Sequence, residues 1–201
     1  MLNRYKILTS SQVLKLIPSI HKDRYASFYD RYKPDYPEKA PKPDSFGDKT
    51  CELKAAGLTL TAHVMGAGVS EAHVVVEFDG HVFVGDLVAN LNHSWLEIGK
   101  TDQWLKRLEE IRALKPKYVH PGRGPSGGPE LLDREETYLK RVIFLVHQTH
   151  PEKHPGQSIS DAQLNRIKNQ LEKDYPGFGN SYFLFGGLPA EWKRQQMITT
   201  K

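Results

Sequence analysis

Four polar side chains stand near the ends of predicted strands, where they can face a common ligand. Asp86 follows the apolar run Val82-Phe83-Val84 and a glycine, and His73 lies near the start of another apolar run. His120 and Arg123 flank a Pro-Gly pair. Carboxylate and neutral imidazole are ligands that zinc takes in proteins, whereas a guanidinium pairs with carboxylates or other anions. The pattern is compatible with a metal site or with an anion site.

Each of these residues also has an ordinary structural interpretation. Aspartate favours turns and helix caps, which accounts for Asp86 without a ligand. His73 is equally a residue on the polar face of a strand, and His120 a strand-end residue that hydrogen-bonds to backbone. Arg123 fits a surface loop as well as an anion site. The residue types alone leave both interpretations open.

The elements that must position these residues lie between 51 and 129. Alternating patterns predict strands at 58–64 and 72–78, and Asp79-Gly80 predicts a hairpin to a return strand at 81–84. Apolar residues from Trp104 to Leu114 follow helical spacing. A short strand is predicted at 117–120, and the proline- and glycine-rich stretch 121–125 predicts a loop.

The flanking segments are predicted with less detail. Residues 5–9 suggest a strand, followed by a short helix that Pro18 ends. Four prolines between 34 and 43 indicate a connection or an arm. After residue 130 the spacing is helical, with a capping box at Ser160 and Gln163 and a helix end at Tyr175-Pro176-Gly177.

Composition narrows the class of protein. The chain has 201 residues, of which 38% are hydrophobic and 26% charged, which is typical of a globular protein. Cys51 is the single cysteine, so an intrachain disulfide and an all-cysteine metal site are excluded. The net charge of +4 comes from scattered basic residues, and no nucleic acid is expected as a partner.

The apolar runs of the sequence are short. The longest, residues 142–146, is far below the roughly 20 residues that cross a bilayer, so no membrane association is expected. The first ten residues mix basic and apolar side chains and do not resemble a secretory signal. The cytoplasm is therefore the expected compartment if Met1 is the true start.

The order of the motifs resembles the second half of the metallo-β-lactamase superfamily. The resemblance is carried by residues 66–78, by 81–88 with Gly85-Asp86, by Asn92-His93-Ser94-Trp95-Leu96 and by Pro121-Gly122-Arg123-Gly124-Pro125. It implies an α/β (α+β) fold, an αββα sandwich that is partial here, over residues 1–150. Residues 151–201 are then a C-terminal helical extension. The family's members are mostly zinc or iron hydrolases, including β-lactamases, thioesterases, lactonases and nucleases, which makes a small-molecule substrate one possible partner.

The sequence departs from the family's metal-binding pattern. Its His-x-His-x-Asp-His signature is missing, Val69 occupies the histidine position of the Gly-His-Thr turn, and Arg123 occupies that of Pro-Gly-His-Gly. Asp86, the usual bridging ligand, remains, and His73 and His120 are the nearby imidazoles. Valine has no lone pair to donate to a metal, and a guanidinium is a cation that has hydrogen-bond donors but no acceptor lone pair. One carboxylate does not complete a four-coordinate zinc site.

Two functions follow from this resemblance. The first is an incomplete or degenerate metal-dependent hydrolase. It would use zinc or iron if its metal site is completed, and this chain would otherwise hold no metal cofactor. The second is a non-catalytic binding or assembly module that keeps the fold, with Arg123 as a partner for an anion. A half sandwich leaves sheet surface uncovered, so the chain is a piece of a longer protein, a homo-oligomer through that face, or covered by its own arm and helices.

Overall fold

The computed structural model describes residues 6–198, and in that range the chain forms seven strands and five α-helices. In chain order they are β1 (Leu8–Thr9), α1 (Ser11–Tyr32), β2 (Asp44–Ser45), β3 (Cys51–Ala55), β4 (Leu58–Met65), β5 (His73–Phe78), β6 (His81–Ala89), α2 (Thr101–Ala113), β7 (Tyr118–Arg123), α3 (Glu130–His147), α4 (Asp161–Asp174) and α5 (Phe183–Ile198). The start of the strand predicted at 5–9 and the end of the predicted extension 151–201 lie outside the described residues.

One five-stranded sheet organises the molecule. Its strands follow the order β3-β4-β5-β6-β7, antiparallel as far as β6, with β7 parallel to β6. The hairpin predicted at Asp79-Gly80 is confirmed, because both residues have positive φ, 48° and 79°, as a tight two-residue turn requires. A parallel neighbour cannot be reached by a tight turn, so α2 carries the chain from β6 to β7.

Two strands extend further than their composition indicated. β6 continues through Gly85 to Ala89, with register irregularities on either side of Gly85. β7 runs through Pro121 to Arg123, so the prediction of a loop from 121 was wrong for its first three residues. Proline is tolerated there because β7 is an edge strand, where a missing N–H leaves no neighbour unsatisfied.

The two faces of the sheet differ. On the covered face, α2 and α3 pack over Val75, Val82 and Val119, which are fully buried. The register places the remaining, alternate side chains on what we call the open face: Cys51, Leu53, Leu60, Ala62, Val64, Val74, Val76, Phe78, His81, Phe83, Tyr118 and His120. On that face Phe83 is 48% exposed and Tyr118 52% exposed.

Helix α1 does not end at Pro18, contrary to the prediction. It begins at the Ser10 cap, whose Oγ accepts the Val13 N–H, and continues to Tyr32. Proline at an interior position removes one backbone hydrogen bond, but the turns on either side keep theirs. Ring pairs such as Tyr25 and Tyr29, with centroids 4.7 Å apart, support the later turns.

The C-terminal helices share the core of the sheet domain. The capping box at Ser160 and Gln163 is confirmed at the start of α4. One cluster of buried apolar side chains includes Ile167 of α4 and Leu188 of α5 together with Val82 of the sheet. Across residues 6–198, none of the helices is long and apolar enough to cross a bilayer.

Candidate functional site

Asp86 and Arg123 form an ion pair where β6 and β7 end side by side. Gly85, with φ of 56°, turns the β6 backbone just before Asp86. The Arg123 Nη2 donates to Asp86 Oδ2 at 3.1 Å, and each side chain is 37% exposed. A pair this exposed adds little to stability because water screens it. Its position, at a cleft rather than in the core, points to binding.

The backbones at this point are in direct contact. The Asn90 N–H donates to the Arg123 carbonyl at 3.0 Å, which ties the end of β7 to the residue after β6. A Cβ on Gly122 would collide with the Asp86 carboxylate and the adjoining backbone, and one on Gly124 with the Asn90 carbonyl. Glycine is required at both positions because no other residue allows the two chains to approach so closely.

The β4–β5 loop supplies the third side of the site. Val69 is 5% exposed and belongs to the hydrophobic core. The Ser70 N–H donates to His73 Nε2 at 3.1 Å. Burial lowers the pKa of His73 to about 4, so the ring is neutral at pH 7. The charge of Asp86 acts on the His73 ring. The Nε2 lone pair of His73, however, already accepts the Ser70 N–H within the loop.

His120 faces away from this site. Its Nδ1 lies 2.8 Å from Ser126 Oγ and its Nε2 lies 2.9 Å from His81 Nδ1. The ring stacks on Phe83 with centroids 4.4 Å apart, on the open face of the sheet. His120 therefore lies apart from the side chains that line the Asp86 cleft.

A cleft of about 700 Å³ opens above the ion pair. Helix α1 and the start of α5 bring further side chains to it, so the cleft is built from parts of the chain that are distant in sequence. Its lining consists of Arg24, Phe28, Arg31, Tyr32, Val69, Ser70, Asp86, Trp95, Arg123, Tyr182 and Phe183.

Cationic and aromatic side chains alternate along one wall of the cleft. The Arg24 Cζ lies 5.1 Å from the centre of a Trp95 ring, and the Arg123 Cζ lies 4.9 Å from that of Phe183. The two aromatic rings meet edge to face at 4.6 Å. With Arg31, three guanidinium groups face the single carboxylate of Asp86, so the cleft carries an excess of two positive charges.

A buried polar cluster underlies the cleft. Glu135 of α3 accepts the Ala89 N–H at 2.9 Å and the Ser94 hydroxyl at 2.7 Å. Burial raises the pKa of Glu135 to about 7, and the charge of Asp86 adds to the increase. Next to it, the His93 Nδ1 lies 3.0 Å from the Tyr138 hydroxyl, and both side chains are buried. The cluster ties the segment after β6 to α3.

The donor set at the cleft does not fit a zinc ion. Asp86 is the one carboxylate there and is paired with Arg123, Val69 has no donor atom, and His73 Nε2 is held by Ser70. Within residues 6–198, no three side chains among His, Cys, Asp and Glu are grouped in a way that would hold a metal ion. Zinc needs about four such ligands.

Several residues of the cleft had no signal in the sequence. Trp95 was noted only within a motif, and Arg24 lies in a helix whose second half was not predicted. Phe183 begins α5, where Gly186, Gly187 and Pro189 disfavour a helix by composition. Arg24 and Phe183 are distant from Asp86 along the chain, so only the tertiary fold brings them to it.

Solved structures share this architecture. A metallo-beta-lactamase family protein from Thermus thermophilus superposes with a TM-score of 0.61 at 12% identity, over 96% of this chain and 67% of that one. An archaeal metallo-beta-lactamase superfamily protein from Sulfolobus tokodaii gives 0.53 at 19%, over 91% and 70%. The DIM-1 metallo-beta-lactamase gives 0.51 at 19%, over 68% and 57%.

These similarities concern the fold, since all three identities lie below 25%. No protein-family model matches the sequence, and no curated protein does. The chain spans less than three fifths of the length of the DIM-1 enzyme. The predicted α/β fold class is confirmed: the chain has a metallo-β-lactamase-like fold, of which it presents one five-stranded sheet and the helices that cover it.

Proposed function

We propose that this chain is a degenerate relative of the metallo-β-lactamase-fold hydrolases whose cleft binds an anionic small molecule without a metal. Arg123 supplies the fixed positive charge at the edge of the sheet, and Arg24 and Arg31 add to it. The described residues of the cleft do not supply a ligand set for a metal-activated water, so the proposed role is binding rather than metal-dependent hydrolysis.

One observation carries the proposal. The guanidinium of Arg123 lies 3.1 Å from the carboxylate of Asp86, inside a cleft that holds further arginines. An arginine binds carboxylate or phosphate through its planar set of donors, and it stays charged at any physiological pH. The Arg123 Nε is buried and has no hydrogen-bond partner in the described part of the chain.

A second candidate function is metal-dependent hydrolysis with ligands from outside this sequence. Two observations favour it: Asp86 is 37% exposed at the sheet edge, and the chain spans 57% of the length of DIM-1. Protein outside this sequence would then have to bring the additional donors close to Asp86. The Arg123 guanidinium would also have to move away from the Asp86 carboxylate, because it occupies the place beside that carboxylate where a metal ion would bind.

The metal content of the purified chain separates the two functions. We expect less than one tenth of an equivalent of zinc or iron by elemental analysis, and unchanged thermal unfolding after EDTA treatment. Near-stoichiometric metal that Asp86→Asn removes would overturn the proposal and support the second candidate.

Calorimetric titration with inorganic phosphate tests binding directly. Arg123→Gln should weaken phosphate binding roughly tenfold, since a charge-assisted hydrogen bond is lost. Asp86→Asn should strengthen binding, because it removes the carboxylate that competes for the guanidinium. Arg166→Gln, which removes the same charge from an exposed position in α4, is the matched control and should change little. Equal effects of Arg123→Gln and Arg166→Gln would contradict the proposal.

A further inference from the structure

The cleft has three features that a simple inorganic ion does not use. It has a volume of about 700 Å³, which falls in the range of sites for organic molecules of drug size. Five of its eleven lining side chains are aromatic. Its positive charge is spread over three arginines that reach it from α1 and from the end of β7. Volume, wall chemistry and charge therefore describe an organic ligand.

The charges favour a ligand with more than one negative charge. Asp86 neutralises part of Arg123, while Arg24 and Arg31 have no carboxylate within 4.0 Å among residues 6–198. Glu97 lies close enough to Arg24 for their charges to interact, and desolvation raises the pKa of Glu97. A dianionic group placed between α1 and the end of β7 would pair with the two remaining charges.

The aromatic side chains favour a flat ligand. Arg24 and Arg123 each lie over a ring, of Trp95 and Phe183, so planar groups are already layered along the wall. Tyr182 meets Phe183 edge to face at 4.5 Å and is itself 63% exposed at the rim. The exposed ring and the guanidinium planes are surfaces on which a further π-system stacks.

We propose that the ligand of this cleft is an aromatic or conjugated dianion, with its acidic group at Arg123 and its ring stacked beside Trp95 and Tyr182. This inference rests on the proposed anion-binding function and specifies its ligand class. Aryl phosphates and aromatic dicarboxylates share the required chemistry. The two sources are distinguished by testing phenyl phosphate and phthalate side by side.

The test compares matched probes on EDTA-treated full-length chain by calorimetry and tryptophan fluorescence. Phenyl phosphate and cyclohexyl phosphate carry the same acidic group and differ in the flatness of the ring. We expect phenyl phosphate to bind about threefold to tenfold tighter than cyclohexyl phosphate, and both to exceed inorganic phosphate. Phthalate binding tighter than phenyl phosphate would assign a dicarboxylate, and the reverse order a phosphate ester.

Two variants locate the ring. Tyr182→Leu changes an exposed side chain and should fold normally, while it reduces the preference for phenyl over cyclohexyl phosphate to near unity. Trp95→Leu should act in the same direction, and Phe185→Leu, at an exposed ring outside the cleft, should leave the preference unchanged. Equal affinity for all three phosphates, with loss on Arg123→Gln, overturns this inference and leaves the anion site intact. No binding by any probe overturns both.

Discussion

The covered and open faces of the sheet are built from the same strands but have different surroundings. Val75 and Val76 are neighbours in β5, yet Val75 is fully buried under the helices whereas Val76 is half-buried on the open face. Ionisable side chains are also found on both sides of the sheet. Glu135 is buried on the covered side, and His81 and His120 pair on the open side.

This difference indicates where the stability of the chain resides. Burial of apolar area stabilises the fold by about 25 cal/mol per Å², and on the described residues that burial is concentrated between sheet and helices. On the open face, Phe83 and Tyr118 remain about half exposed. Large apolar patches on isolated proteins are rare, so this face is suited to contact with another layer of protein.

The largest effect is expected at Glu135. Its pKa of about 7 in the folded chain lies above the value of 4.5 for a free glutamate, so its contribution to stability is present below pH 4.5 and is lost as the pH rises through 7. The free energy of unfolding of wild type relative to Glu135→Gln should therefore fall by up to about 3 kcal/mol between pH 4.5 and 8.

Urea unfolding of both proteins across this pH range measures that difference. Glu136→Gln, one position along α3, is the control with the opposite sign, because Lys140 and Arg112 lower the pKa of Glu136. Its stabilising contribution is lost only as the pH falls below the ordinary glutamate range. A pH-independent difference for Glu135→Gln would show that the carboxylate is not desolvated on the covered side.

A smaller effect separates the two valines of β5. Val75→Ala removes two fully buried methyl groups and should lower the free energy of unfolding by about 2 kcal/mol. Val76→Ala makes the same chemical change on the open face and should cost less than about 1 kcal/mol. Denaturant titration of the two variants measures the contrast. Equal losses would mean that the open face is covered in solution.

The smallest effect on stability, and the most direct test of the open face, is Phe83→Glu. Phe83 is 48% exposed, so the folded chain should lose less than about 1 kcal/mol. Self-association through this face stays a prediction: light scattering should give a dimer for wild type and a monomer for Phe83→Glu. Phe144→Glu, at a ring 50% exposed on α3, is the control. A wild-type monomer at high concentration would contradict self-association.

Local chemistry predicted part of the fold. Asp79-Gly80 and the Ser160–Gln163 pair act through a few neighbouring residues, and both produced the predicted turn and cap. Pro18 and Pro121 gave wrong predictions, because an interior proline costs one bond within a long helix and none on an edge strand. Helix α5 was predicted only as an unspecified part of the helical extension 151–201, since its glycines pack against Leu96 and Glu97, contacts that only the folded chain provides.

The candidate site was predictable only where motifs reach it. The motif order identified Asp86 and Arg123 as residues of interest, but their 3.1 Å pairing depends on the parallel alignment of β6 and β7. Arg24 and Phe183 come from helices far before and far after Asp86 along the chain, and no local pattern connects them to it. Long-range packing, rather than local propensity, assembles the cleft.

The glycines at 122 and 124 have a consequence for protein engineering. Because the close contacts at these glycines set the spacing of the two strand ends, the side chain at 123 can change while the frame stays fixed, whereas a change at 69 also affects the core to which Val69 belongs. Histidines introduced there, as Val69→His and Arg123→His, would put two imidazoles opposite the Asp86 carboxylate. The chain is thus a scaffold on which metal ligands can be introduced one at a time.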